Sequence, residues 1–183
     1  MRVPVECPYR GPDGCKFPTR RDETLHAEAA RCCRAALGGS HFQMDEPPLC
    51  QSLGSEDEVY RFTWKSSFDG DAVVRIGRVG TRSSASWWKS FTRMERHVEL
   101  VLADWDHLQH AVHHAAFWTQ GEGIEASLGL DGATWLFEGR RADEFWCFKR
   151  WSPMGPLAEL GRVFFELAGP PLSNVQLQLS HDS

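Results

Sequence analysis

From Val59 onward the hydrophobic positions recur with a period of two, Tyr60, Phe62 and Trp64 being separated by Arg61, Thr63 and Lys65. That alternation predicts a strand with one face toward a core. Phe68-Asp69-Gly70-Asp71 supplies turn chemistry and Ala72 to Val79 resumes as a second strand, so the two form a hairpin. Residues from about Ala85 to Leu102 hold one or two more strands, because Val98, Leu100 and Leu102 alternate with His97, Glu99 and Val101. The period then changes. From Asp104 a helix is expected with Trp105, Leu108, Val112, Ala115 and Ala116 as its apolar stripe, ending near Gly121. Two strands follow, about Ala133 to Glu138 and Glu144 to Trp151, joined through polar residues as a second hairpin. Pro156 opens a last helix that buries Leu157, Leu160, Phe164 and Leu167 and is stopped by Gly169-Pro170-Pro171. The tail from Leu172 to Ser183 reads as a short edge segment or as disordered chain.

Ahead of this body the pattern is different. Residues 1–55 are rich in Cys, Pro, Gly and charge, with one helical stretch in which Asp22 is the N-cap and Leu25, Ala29, Cys32 and Ala36 share a face before Gly38-Gly39. Asp45-Glu46-Pro47-Pro48 to Ser55-Glu56-Asp57 reads as a linker. The expected architecture is α+β: a Cys-rich segment with one short helix (1–55), then a main domain (56–183) with an antiparallel sheet of about five strands, in two hairpins, packed against two or three helices.

Composition narrows the functional classes. The chain has 183 residues, 42% of them hydrophobic, enough for one sizeable core. Its formal charge is −5, with lysines and arginines interspersed among acids, so no basic stripe is offered to a nucleic-acid backbone. No run approaches the roughly 18 apolar residues of a membrane span, and Met1 to Glu6 lacks the apolar core of a secretory signal, so the expectation is a cytoplasmic protein without a membrane partner. Five of the six cysteines lie in the first 50 residues. With no sign of export, free thiols or a metal site are the better expectation for them.

The run Gly129 to Gly139 (GLDGATWLFEG), followed by Lys149-Arg150-Trp151-Ser152-Pro153 and by the helix from Leu160-Gly161 to Leu167-Ala168, resembles a family of uncharacterised bacterial proteins. That family shares an L-D-G-A-x-W-x-x-E-G strand, an R-W-S-P turn and a closing amphipathic helix. The resemblance spans Tyr60 to Pro171 and implies the fold. It brings no catalytic residue with it, since no activity is established for the family.

Three groups of residues carry candidate chemistry. Cys7, Cys15, His26 and Cys32 (or Cys33) resemble a zinc finger with three thiolates and one imidazole, a donor set suited to tetrahedral zinc. The spacing departs from that pattern. Seven residues separate Cys7 from Cys15, where about two to four is usual, and ten separate Cys15 from His26, where about twelve is expected. Thiols that are free or buried as small apolar groups are the plainer alternative. On the helix from Asp104, His107, His110 and His114 share an arc opposite the apolar stripe, and His110 with His114 has the i, i+4 spacing of metal ligands, although no H-E-x-x-H accompanies them. A solvated or partner-facing helix side is the plainer reading there. Third, Asp131, Glu138, Arg150 and Trp151 can line a recognition surface at one end of the sheet, and Trp87 and Trp88 stand beside Lys89 and Phe91 as candidate interface anchors among the eight tryptophans. Their structural alternative is turn formation and core packing.

No G-x-S-x-G elbow, phosphate-cradling glycine loop or defensible Cys-His pair is present. The balance favours a non-catalytic protein-binding domain, with a bacterial immunity protein that caps a basic toxin or effector as the concrete case. A zinc-binding protein or metal-dependent enzyme, using the Cys/His segment or the histidine helix, is the competing class, and a scaffold domain the third.

Overall fold

The computed structural model describes residues 10–11, 14–15, 49, 56–66, 71–89, 94–120, 132–141 and 144–169. Two short strands, β1 (Arg10–Gly11) and β2 (Gly14–Cys15), pair with each other. The main body is one antiparallel sheet of six strands: β3 (Glu58–Ser66), β4 (Asp71–Val79), β5 (Arg82–Lys89), β6 (Met94–Leu100), β7 (Ala133–Arg141) and β8 (Glu144–Trp151). Their order across the sheet is β6-β5-β4-β3-β7-β8. The first four strands therefore meander outward from β3. The chain then returns over the sheet through helix α1 (Leu102–His114) and adds β7 and β8 on the other side of β3, before helix α2 (Pro156–Ala168) closes the described body. The expected α+β architecture is present, with six strands in the sheet instead of about five.

The extra strand comes from the stretch where alternation was weakest. β5 begins Arg82-Ser83-Ser84-Ala85-Ser86, small and polar residues of low strand propensity, yet Ser83 and Ala85 are buried because their neighbours across the ladder are already fixed in place. The short helix expected near residues 22–37 and the tail from Leu172 lie outside the described residues.

Helix α1 starts two residues earlier than expected. Asp104 sits at its third position, where its carboxylate accepts the Val101 N–H at 3.0 Å. It also ends earlier than Gly121: Ala116 takes a left-handed conformation (φ 48°), and a 3₁₀ turn over Phe117–Thr119 turns Phe117 fully into the core. Trp105, Leu108, Val112 and Ala115 are buried as expected, whereas Ala116, at the turn, is exposed. Pro156 opens α2 and Gly169 ends it at φ 65°, as the sequence predicts. There Arg96 from β6 donates to the Gly169 carbonyl at 2.8 Å, fastening the helix end to the sheet edge.

Between the helices and the sheet lies an aromatic core centred on Phe62. Its ring stacks on Phe137 at 4.8 Å and meets Trp135, Phe164 and Phe165 within 5.1–5.6 Å. Close approach of α2 requires Gly161, since a Cβ built there would lie 2.2 Å from the Trp135 ring. Gly139 on β7 makes the same allowance for Phe117, whose ring would be 2.6 Å from a Cβ. Gly161→Ala is therefore expected to lower unfolding free energy by about 1–3 kcal/mol through overpacking, read as a reduced urea midpoint at unchanged m. An unchanged midpoint would show that α2 does not depend on this contact.

Candidate functional site

The two faces of the sheet differ. Tyr60, Phe62 and Trp64 point toward the helices, so Val59, Arg61, Thr63 and Lys65 belong to the opposite face. Over β3, β4, β7 and β8 the middle of that face is also buried: Val59, Arg61, Val73 and Glu138 are at 0% exposure, Thr63 at 1%, with Leu136, Arg140, Phe145 and Cys147 at 6–7%. Leu49, at 0%, belongs to the same assembly, since its backbone N–H donates to Glu138 Oε1 at 3.1 Å.

The centre of this region is ionic. Register places Arg61 beside Glu138 on β7 and beside Arg75 on β4. Arg61 Nε donates to Glu138 Oε2 at 2.6 Å and Nη2 lies 2.5 Å from the same oxygen. Arg75 donates to Glu56 Oε1 at 2.6 Å, and Arg140 Nη2 is 3.8 Å from Glu56 Oε2. Burial pushes the Glu56 carboxyl upward, but the Arg75 hydrogen bond and the charges of Arg75 and Arg140 outweigh it, so its pKa falls below the ordinary value. The Thr63 hydroxyl is buried in this region without a hydrogen-bond partner among the described residues.

Toward β5 and β6 the same face opens. Here Ser84, Ser86 and Trp88 are half-buried, Arg82, His97 and Glu99 are exposed, and Val79 (49%), paired with Arg82, and Val101 (65%), just past the end of β6, are exposed too. This half-face carries one large ring, Trp88, with exposed valines at one end.

On the helix side, a ladder of alternating charge runs along the rim. Glu58 lies between Arg141 and Arg78 on its neighbouring strands, accepts from Tyr60 Oη at 2.5 Å and from Gln109 at 3.0 Å, and faces Arg78 at 3.5 Å. Each arginine lies over an indole, Arg78 over Trp105 at 4.6 Å and Arg141 over Trp118 at 4.3 Å. Burial, followed by the Glu58 carboxylate, pushes the Tyr60 phenol well above its usual range, so it stays a donor.

The residues singled out in the sequence fall into different places. Trp88 lies on the open half-face. Trp87, its neighbour, points the other way, is 5% exposed and packs in the core, because successive strand residues alternate faces. Glu138 is a core ion-pair residue and not part of an exposed surface. Arg150 is on the helix side of β8, where it covers the Phe148 ring and donates to Gln120 at 3.3 Å and to the Lys149 carbonyl at 2.9 Å. Trp151 is half-buried on the opposite side and packs against Gly132, whose Cβ would lie 2.8 Å from the indole. The structure thus does not unite Glu138, Arg150 and Trp151 in one surface, and Asp131 lies outside the described residues.

Of the metal candidates, Cys7, His26 and Cys32 are outside the described residues, and Cys15 is described only as backbone in β2. Among the described residues no three or more His, Cys, Asp or Glu side chains form a group that could hold a metal ion. Cys147, for which the sequence sets no separate expectation, is disulfide-bonded. It lies beside Glu138 in the β7–β8 ladder, within the buried half of the face.

Sequence reasoning missed the Arg61–Glu138 pair because the alternation places Arg61 only on the strand face away from the Tyr60, Phe62 and Trp64 core. The signal lay in the neighbouring strands: Ala72-Val73-Val74, Trp135-Leu136-Phe137 and Phe145 to Phe148 are continuous apolar runs, as strands buried on both faces have. No helix among the described residues is long and apolar enough to cross a membrane. No protein-family model matches the chain, and no curated protein matches it.

Because the Glu56 pKa is depressed in the fold, its ion pairs stabilise above the ordinary carboxylate range and are lost as pH falls through the depressed value. Glu56→Gln should cost about 1–3 kcal/mol at neutral pH, with the gap to wild type closing on acidification. Parallel denaturation curves from neutral to acid pH measure this, and a gap independent of pH would contradict the assignment.

Proposed function

We propose that the protein is a non-catalytic protein-binding domain, and that an immunity protein capping a basic bacterial toxin or effector is the concrete form of that role. The observation that carries this reading is the open β5–β6 half-face: Trp88 half-buried amid Ser84 and Ser86, with exposed Val79 and Val101 at one end. A large ring on a rigid sheet loses little conformational freedom on contact, and small neighbours let a partner approach the backbone closely. Isolated exposed apolar residues need no explanation, but Val79 at the end of β4 and Val101 and Leu102 just past the end of β6 are all exposed at the same end of the sheet.

The basic character of the partner rests on the net charge of −5. The acids responsible are not on the sheet and helices. Residues described between Glu56 and Gly169 include 12 Asp or Glu and 12 Lys or Arg, a difference of zero, so the acidic excess lies in the rest of the chain. On this reading the Trp88 surface supplies short-range anchoring, and the long-range attraction comes from elsewhere in the chain. A cytoplasmic site of action is part of the proposal, and the Cys147 disulfide, a bond that persists in oxidising compartments, argues against that part.

The experiment is binding of the purified chain to the product of a toxin gene adjoining its own, paired with toxin sensitivity of cells lacking the protein. Trp88→Ala is expected to weaken binding by more than about tenfold, the loss of an interface anchor, while leaving the thermal midpoint close to that of wild type. Absence of binding, together with unaltered toxin sensitivity on deletion, would reject the immunity role. Binding that is indifferent to Trp88→Ala would move the interface away from this face.

A further inference from the structure

Cys147 is disulfide-bonded, and the other five cysteines of the chain, Cys7, Cys15, Cys32, Cys33 and Cys50, all stand in the first 50 residues. In a single chain the bond therefore ties the Cys-rich front to β8. Leu49 indicates where. It is fully buried, and its N–H donates to Glu138 Oε1 at 3.1 Å. Glu138 and Cys147 are direct partners in the β7–β8 ladder, so their side chains stand on one face with Cα atoms about 4.5–5.5 Å apart. A disulfide requires Cα atoms about 4.4–6.8 Å apart. Cys50, which lies outside the described residues, is bound by chain continuity to within about 3.8 Å of Leu49, Cα to Cα. The other four cysteines precede Leu49 by 16 residues or more, so the position of Leu49 does not constrain them. We propose that Cys50 is the partner of Cys147, and that their bond is a redox-sensitive strap that keeps Leu49 seated on the Arg61–Glu138 pair.

Cys50 and Cys147 are 97 positions apart, so the bond closes a loop long enough to restrict the unfolded chain strongly. Its location adds a local role. Glu138 divides its oxygens between the Arg61 guanidinium and the Leu49 amide, and both charged side chains are fully buried. When Leu49 leaves, one oxygen of a buried carboxylate loses its donor and water must replace it. Cys147 is itself buried, so a reductant reaches the bond as this region opens. Reduction is thiol–disulfide exchange. One thiolate of an added dithiol attacks a sulfur of the bond, forming a mixed disulfide and releasing one protein thiolate. The second thiol of the reductant then displaces the remaining protein sulfur. Cys50 and Cys147 are left as thiols and the reductant as a cyclic disulfide, two electrons having passed to the protein. Leu49 is then held by its hydrogen bond and its packing alone.

This inference is independent of the protein-binding reading, and its test does not involve a protein partner. The full chain, equilibrated in an oxidising glutathione buffer, is alkylated and digested with trypsin without reductant. Cleavage after Lys and Arg leaves Cys50 as the one cysteine of peptide 35–61 and Cys147 as the one cysteine of peptide 142–149. The expected product is these two peptides joined, and separated by dithiothreitol. A Cys147 peptide that is alkylated, glutathionylated or joined to any other cysteine overturns the assignment. The strap is tested on the same wild-type protein by amide exchange in NMR. Reduction with dithiothreitol is expected to speed exchange of the Leu49 amide by about tenfold or more, and to lower the thermal midpoint by about 10 °C. Cys50→Ser should reproduce the faster Leu49 exchange without reductant. Leu49 exchange that reduction leaves unchanged, or that still responds to dithiothreitol in Cys50→Ser, overturns the proposal.

Discussion

The Arg61–Glu138 ion pair is the constraint around which the rest of the sheet is organised. It joins β3 to β7, residues 77 positions apart in sequence, across the ladder where the meander of four strands meets the returning hairpin. Two fully buried charges are costly to remove from water, and the cost is met only where geometry and additional hydrogen bonds are both good. Here Glu138 uses one oxygen for the guanidinium and the other for the Leu49 amide. A one-residue slip of β7 against β3 would turn Glu138 into the aromatic layer and strand Arg61, so the pair selects the register that the apolar residues alone leave less sharply defined.

Around that joint the sheet divides its work. On the helix side, Phe62, Phe137, Phe148 and Trp135 build a continuous aromatic layer, with Gly161 and Gly139 marking where helix and 3₁₀ turn come closest. On the opposite side, the half containing β3, β7 and β8 is closed over, polar at its centre and tied by a disulfide at Cys147, while the β5–β6 half remains open. The open half-face and the histidine side of α1 are therefore distinct surfaces.

Much of this arrangement was legible in the chain. The alternation of Tyr60, Phe62 and Trp64, the Pro156 and Gly169 boundaries, and the α1 stripe from Trp105 to Ala115 are local signals, and local signals survive folding. What could not be read was which polar residue meets which. Arg61 looks like any outward-facing strand cation until β4, β7 and β8 are seen to be apolar on both sides. Trp87 and Trp88 are indistinguishable by composition, and only the strand parity set by β4 assigns the first to the core and the second to the surface. The β5 strand was indistinct because its serines are acceptable there through their neighbours and not through their own propensity. Cys147 gave no local sign of its bond, since a disulfide is decided by a partner distant in sequence.

The most direct test of this account is a double-mutant cycle at the central pair, using Arg61→Met, Glu138→Leu and the two combined, with unfolding free energy measured by urea denaturation. A buried pair that acts as a unit predicts single-variant costs of about 3–5 kcal/mol each, because each leaves one charge buried without its counterpart, and a double variant much more stable than the sum implies. Costs that add to within about 0.5 kcal/mol would contradict it, and would mean that Arg61 and Glu138 are held by the sheet and do not hold it together.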